Sequence, residues 1–136
     1  MASILVVDDS ALARRLVRAA FEAAGHEVVE AENGRQAFSR LRERPEIALV
    51  LTDLNMPGIG GMALLARIRQ EECWATLPII LVTAEVDPAL VQRAKTLGAS
   101  GWAVKPCKPA RLVEMAESLL PASCEGVRAV TSAAGQ

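Results

Sequence analysis

The chain has 136 residues, enough for one domain of ordinary size, and 51% of them are hydrophobic while only 3% are aromatic. Its core must therefore be built mostly of Val, Leu, Ile and Ala. A formal net charge of -1 provides no overall electrostatic footprint for nucleic acid or an anionic membrane surface, so any charge-based function is local.

The first element is the apolar run "SILVV" at 3–7, which ends in the adjacent carboxylates Asp8 and Asp9 and leads into an Ala-rich, basic helical pattern at 10–24. Gly25 closes that helix. The next run, "EVVEA" at 27–31, carries Glu27 and Glu30, as suits an edge strand protected by charge. A helix is predicted at 34–44, followed by the strand "IALVLT" at 47–52. Asp53 ends that strand and opens the loop "DLNMPGIGG", where Pro57, Gly58, Gly60 and Gly61 allow a sharp backbone turn. A helix at 61–72 follows, and then Trp74, expected to pack locally. The strand "PIILVT" at 78–83 ends at Thr83, and "DPAL" offers an Asp cap and a first-turn Pro for a helix at 87–97. The last strand, "GWAVK" at 101–105, ends at Lys105, and Pro109 can open a helix at 108–120. From Pro121, "PASCEGVRAVTSAAGQ" has many small residues and no strong periodicity, so 121–136 is expected to be a mostly disordered tail behind one domain at 1–120.

Cys73, Cys107 and Cys124 are odd in number and widely spaced, with no CxxC. They form neither a disulfide framework nor a zinc site and suit a reducing cytosol. The N-terminus has no basic region before an apolar segment, and no apolar run approaches the ~18 residues needed to span a bilayer. A cytoplasmic, monomeric protein is expected.

Five strands, each followed by a helix, imply right-handed crossovers and a doubly wound α/β fold: a five-stranded parallel sheet with helices on both faces. The chemically distinctive residues fall at the carboxyl ends of the strands, where the crevice of such a sheet lies. The order 2-1-3-4-5 makes strands one and three neighbours and brings Asp8, Asp9 and Asp53 together. Three carboxylates in one place need cationic compensation, which one divalent ion and Lys105 supply. All-oxygen ligands with room for waters suit Mg²⁺. A carboxylate can also act as the nucleophile in phosphoryl transfer, which needs a cation, a Lys and a hydroxyl around the transferring oxygens. Asp53 is the candidate nucleophile, Asp8 and Asp9 are candidate metal ligands, and Thr83 and Lys105 supply the hydroxyl and the cation.

The stretches "ILVVDDS", "DLNMPGIGG", "LVTAE" and "GASGWAVKP" resemble, in order and spacing from residue 3 to about 120, the receiver domain of two-component response regulators. Within that family the likeness is to single-domain chemotaxis regulators of the CheY type, themselves an example of the strand order above. The resemblance implies Asp53 as phospho-acceptor, and Asp8, Asp9, Asp53 and the Asn55 backbone carbonyl as ligands of Mg²⁺, which Mn²⁺ can replace. It implies a Thr83 hydroxyl on the phosphoryl group, a pairing Lys105, and a cis Lys105–Pro106 bond. Asn55 and Glu85 occupy the positions that tune access of the hydrolytic water. Trp102 stands at the switch position, where Tyr or Phe is usual, Leu54 where chemotaxis members often have Trp, and Cys107 where Phe is common.

By the same resemblance the phosphate comes from a sensor histidine kinase. The output is docking on a flagellar motor switch protein or exchange with a histidine phosphotransfer protein, and a phosphatase can assist removal. The face around Arg93, Lys95, Lys108 and Arg111 is either a solvated surface or the partner face that relatives use. His26, next to Gly25, is a poor phosphorelay histidine. A phosphatase of the haloacid-dehalogenase type would want DxD at the end of its first strand, and a flavin protein would not place carboxylates where the cofactor phosphate binds.

Overall fold

The computed structural model describes residues 2–56, 58–84 and 86–120. Pro57, Glu85 and the segment from Pro121, expected to be a disordered tail, lie outside these. Among the described residues, five strands alternate with five helices in the order β1 (Ser3–Val7), α1 (Ala11–Ala23), β2 (Glu27–Ala31), α2 (Gly34–Glu43), β3 (Ile47–Asp53), α3 (Gly61–Arg69), β4 (Ile79–Thr83), α4 (Pro88–Leu97), β5 (Gly101–Val104) and α5 (Pro109–Leu119). All strand pairs are parallel, in the order β2-β1-β3-β4-β5. This is the doubly wound α/β sheet that the alternation of elements predicts.

Side-chain alternation divides the core into two layers. Leu5 and Val7 of β1, Val50 of β3, and Ile79 and Leu81 of β4 pack with Leu41 of α2, Leu64, Leu65 and Ile68 of α3, and Ala94 of α4. Their neighbours Ile4, Val6, Leu49, Leu51, Ile80 and Val82 pack on the opposite face with Phe21 of α1 and with Leu112, Val113 and Ala116 of α5. Truncating a fully buried side chain such as Ile80 to Ala would cost about 2–5 kcal/mol. The edge charges of β2 are neutralised in place: Glu30 pairs with Arg14 and Arg18, and Glu27 with Arg44.

Element ends differ from the sequence reading by up to three residues. β3 continues through Asp53, which pairs with Val82, and β4 begins after Pro78, which has no N–H to donate. α3 stops at Arg69 instead of running to residue 72, and a 3-10 turn follows at Glu72–Trp74. Arg69 organises that turn, donating from Nη1 to the Trp74 carbonyl at 2.8 Å and from Nε and Nη2 to the Gly98 carbonyl at 3.1 and 2.8 Å. Gly98 takes φ +103°, the left-handed conformation that ends α4.

Candidate functional site

Strand register assembles the site. Val7 pairs with Thr52, so Asp8 leaves β1 beside Asp53 at the end of β3. Asp53 pairs with Val82, which puts Thr83 one step further along β4, and Thr83 pairs with Val104, which puts Lys105 just beyond β5. The Lys105 N–H donates to the Thr83 carbonyl at 2.8 Å, so pairing continues past the last strand residue. The Lys105–Pro106 peptide bond is cis.

Oxygens of Asp8, Asp9 and Asp53 all lie within 4.8 Å of one another. Asp53 is buried and Asp8 half-buried, while Asp9 is exposed. The Lys105 ammonium reaches Asp53 Oδ2 at 3.2 Å and Asp8 Oδ2 at 3.7 Å. Burial pushes the Asp8 carboxyl above the ordinary aspartate range. The charges of Asp53 and Asp9 add to that rise, against the opposing Ser10 N–H and Lys105. Burial also pulls the Lys105 ammonium down, but the charges of Asp53 and Asp8 and the hydrogen bonds to them outweigh it, leaving its pKa above the ordinary lysine value.

Local hydrogen bonds hold Asp8 and Asp53 in place. The Ser10 N–H donates to Asp8 Oδ1 at 2.9 Å, and the Ser10 hydroxyl accepts the Ala13 N–H at 3.2 Å, capping α1. Thr52 Oγ1 donates to the Asp53 carbonyl at 3.0 Å, and the Asn55 N–H lies 3.4 Å from Asp53 Oδ1. α3 begins unusually close to this strand end. The Gly61 N–H donates to the Leu54 carbonyl at 2.9 Å, and a Cβ at Gly61 would stand 2.5 Å from the Asp53 carbonyl oxygen. Gly58, at φ +74°, takes the left-handed turn that brings the chain there.

The fold thus gathers Asp8, Asp9, Asp53 and Lys105, with Thr83 on the neighbouring strand end and almost fully buried. Asn55 is exposed at the rim, and Glu85 lies outside the described residues. Trp102, three residues before Lys105, sits opposite Leu81 and on the same sheet face as Thr83. It is half-buried against the layer formed by α2, α3 and α4, and its indole nitrogen is buried without a hydrogen-bond partner among the described residues. Leu54 is buried in the same layer. Trp74 packs edge-on against Phe38, as local packing would require. Arg93, Lys95, Lys108 and Arg111 are all exposed. His26 is buried, accepting the Ala2 N–H on Nδ1 and contacting Glu117 through Nε2 at 2.8 Å.

Sequence reasoning missed Arg14, which donates from Nη1 to the Asp8 carbonyl at 2.6 Å while its Nε bonds Glu30. It ties the Asp8 main chain to the edge strand. An arginine one turn into a helix directly after two aspartates is the signal that could have shown it. The reading also missed an apolar cavity of about 490 Å³ beside Asp53, lined by Ala13, Leu16, Val17, Pro106, Cys107 and Leu112 among others.

Three carboxylates at this separation, all hard oxygen donors with one arm in solvent, fit a small divalent cation. Asp8, Asp9 and Asp53 are the residues that could hold it.

Residues 4–117 match the response regulator receiver domain family. A chemotaxis protein CheY homolog of Campylobacter jejuni is 37% identical over 118 residues, covering 86% of this chain and 91% of the relative. The chemotaxis protein CheY1 of Helicobacter pylori is 36% identical over 118 residues, covering 86% and 95%. The solved structure of Vibrio cholerae chemotaxis protein CheY4 superposes with a TM-score of 0.83 at 33% identity, covering 88% of this chain and 99% of that one. Sequence, sheet order and the placement of the acidic cluster agree: the chain belongs to the response regulator receiver family and is similar to its CheY-type chemotaxis members.

Proposed function

We propose that this receiver accepts a phosphoryl group on Asp53 from a histidine kinase and signals through a phosphorylation-dependent change in partner binding, with chemotaxis as its pathway and the cytoplasm as its site of action. The observation that carries the reading is the 3.2 Å approach of the Lys105 ammonium to Asp53 inside the carboxylate cluster. An ammonium so placed pairs with the free carboxylate and can follow the charge when it moves onto a phosphoryl group.

In this mechanism an Asp53 carboxylate oxygen attacks the phosphorus of a phosphohistidine. The P–N bond breaks, the imidazole leaves with the bonding pair, and an aspartyl phosphate remains. Mg²⁺, or Mn²⁺ in its place, held by Asp8, Asp9, Asp53 and the Asn55 carbonyl, would neutralise charge on the transferring oxygens. Lys105 turns to the new phosphoryl oxygens and the Thr83 hydroxyl donates to them. Movement of Thr83 opens the neighbouring layer to rearrangement of Trp102, and so alters the face carrying Arg93, Lys95, Lys108 and Arg111. Asn55 and Glu85 tune access of the water that later hydrolyses the acyl phosphate. Phosphorylation and hydrolysis of its own aspartate are the only chemistry in this reading, so the chain is a binding module and not an enzyme acting on a separate substrate.

Leu12 and Leu16 of α1 are 66% and 56% exposed, and Leu16 lines the cavity beside Asp53. An apolar surface next to the acceptor suits docking of the kinase that donates the phosphoryl group. Incubation with a small phosphodonor and Mg²⁺ tests the core of the proposal: the chain should gain one phosphoryl mass and Asp53→Asn should gain none. An unchanged gain in that variant would refute Asp53 as acceptor. The output is read by affinity capture with and without beryllofluoride. A flagellar switch protein enriched on activation supports the motor reading, while a histidine phosphotransfer protein retained by the unactivated form supports a relay or phosphate sink.

A further inference from the structure

Two of the chain's four aromatic rings meet on the face of α2 and α3, and neither lines the cavity beside Asp53. Phe38 of α2 packs edge-on against Trp74, with 5.3 Å between ring centroids. Two guanidinium groups also lie over the Phe38 ring. Arg42, one helical turn further along α2, brings its Cζ to 4.8 Å from the centroid, and Arg67 of α3 brings its own to 4.7 Å. Both arginines are exposed. Their neighbours Arg40 and Arg44 pair with Glu43, Glu27 and Glu46. Arg42 and Arg67, by contrast, have no carboxylate partner among the described residues.

The shared ring orients both guanidinium forks, so a ligand that meets them orders little more side chain. Like charges this close repel, and the attraction of one ring leaves the pair short of a counter-charge. A carboxylate supplies it, because its two oxygens match the guanidinium fork. Arg42 and Trp74 also border a groove of about 700 Å³ whose walls include Leu41, Ile47, Leu77 and Pro78. The surface therefore offers cations beside an apolar trough. Glu71 stands on the same groove and Glu43 follows Arg42 in the chain. A long polyanion such as nucleic acid meets repulsion there, whereas one or two carboxylates reach the arginines without it. Arginine and aromatic side chains are also the types that dominate the binding energy of protein interfaces.

We propose that Phe38, Arg42, Arg67 and Trp74 form a docking surface for an acidic, amphipathic segment of a partner protein. Its carboxylates pair with the two guanidinium groups and its apolar side chains enter the adjoining groove.

The test uses the full chain, labelled with nitrogen-15, and a synthetic helical peptide of glutamate and leucine with the leucines on one face. The chain has two tryptophans, Trp74 and Trp102, so two indole N–H signals report the outcome, and Trp74→Phe assigns them. Titration with the peptide should move the Trp74 signal and leave that of Trp102 in place. Arg42→Gln and Arg67→Gln should each weaken binding about tenfold, as expected for the loss of a charged hydrogen bond. Arg42→Lys should fall between parent and Arg42→Gln, since it keeps the charge and loses the fork. Both positions are exposed, and thermal melts of the variants should match the parent. A peptide of lysine and leucine should not bind, and one of glutamate and serine should bind more weakly. Equal binding of either control, binding that survives in the double Gln variant, or a shift confined to Trp102 would each overturn the proposal. So would tighter binding of a single-stranded oligonucleotide at Trp74, or self-association of the chain that Arg42→Gln abolishes. Asp53→Asn should bind the peptide as the parent does, so the result is independent of phosphotransfer.

Discussion

The Lys105 ammonium stands 3.2 Å from Asp53 Oδ2, although the two residues are 52 positions apart in the chain. It is also 3.7 Å from Asp8 Oδ2, so one cation serves two carboxylates from two other strands. Removing it with Lys105→Met should slow labelling of Asp53 by a small phosphodonor about 10²-fold, the usual cost of losing a donor aimed at developing negative charge. The head group is partly in solvent, so the melting temperature should change far less than the rate. Quench-time mass spectrometry measures the rate and a thermal melt the melting temperature, each against the parent, and an unaltered rate would remove Lys105 from the mechanism.

Asp8 has a raised pKa because it is partly buried beside Asp53 and Asp9. A carboxyl raised on folding contributes stability below its unfolded value near 3.8, and that contribution is lost as pH rises through the folded value. At neutral pH the metal-free site therefore holds a partly desolvated carboxylate that a cation would stabilise. Mg²⁺ at ten times its Kd should add about 1.4 kcal/mol and raise Tm by about 5 °C. The shift should shrink as pH falls toward 4, where protons compete for the same oxygens. Thermal melts of the parent and Asp9→Asn across a Mg²⁺ series check this, and the variant should lose most of the shift.

Glu30 is held below the usual glutamate range by hydrogen bonds from Arg18 and Arg14. A lowered carboxyl contributes stability above its unfolded pKa near 4.5 and loses it as pH falls through the folded value. Urea unfolding at a series of pH values below 4.5 should therefore show a steeper loss of stability in the parent than in Glu30→Gln. Equal slopes would mean that these pairs add nothing to acid resistance.

Gly61 marks where α3 meets the acceptor strand, with no room for a Cβ against the Asp53 carbonyl oxygen at 2.5 Å. Gly61→Ala should destabilise the fold by about 1–3 kcal/mol, because the helix end or the strand end must move. It should also slow Asp53 labelling, since the displaced backbone carries the acceptor. Gly60→Ala, whose Cβ would meet the Leu54 carbonyl oxygen at a milder 3.1 Å, is the matched control and should cost less in both measurements.

Much of this protein was determined by its sequence alone. Uninterrupted apolar runs such as "IALVLT" can be satisfied only in strands covered on both faces, and the charged "EVVEA" only at an edge. Pro88, Pro109 and Gly25 punctuate the helices because proline and glycine restrict or free φ locally. Once strands are parallel and doubly wound, residues at their carboxyl ends must converge, so Asp8, Asp9, Asp53, Thr83 and Lys105 were legible as one cluster. The tertiary structure decided what depends on distance and burial: Lys105 bridging two strands, the burial that raises the Asp8 carboxyl, and Arg14 reaching back to the Asp8 carbonyl. It also decided that Gly61 is required for close approach, where the sequence suggested only a sharp backbone turn. Local patterns set which residues lie at a strand end, but Coulomb energy and desolvation depend on ångström separations between segments distant in the chain.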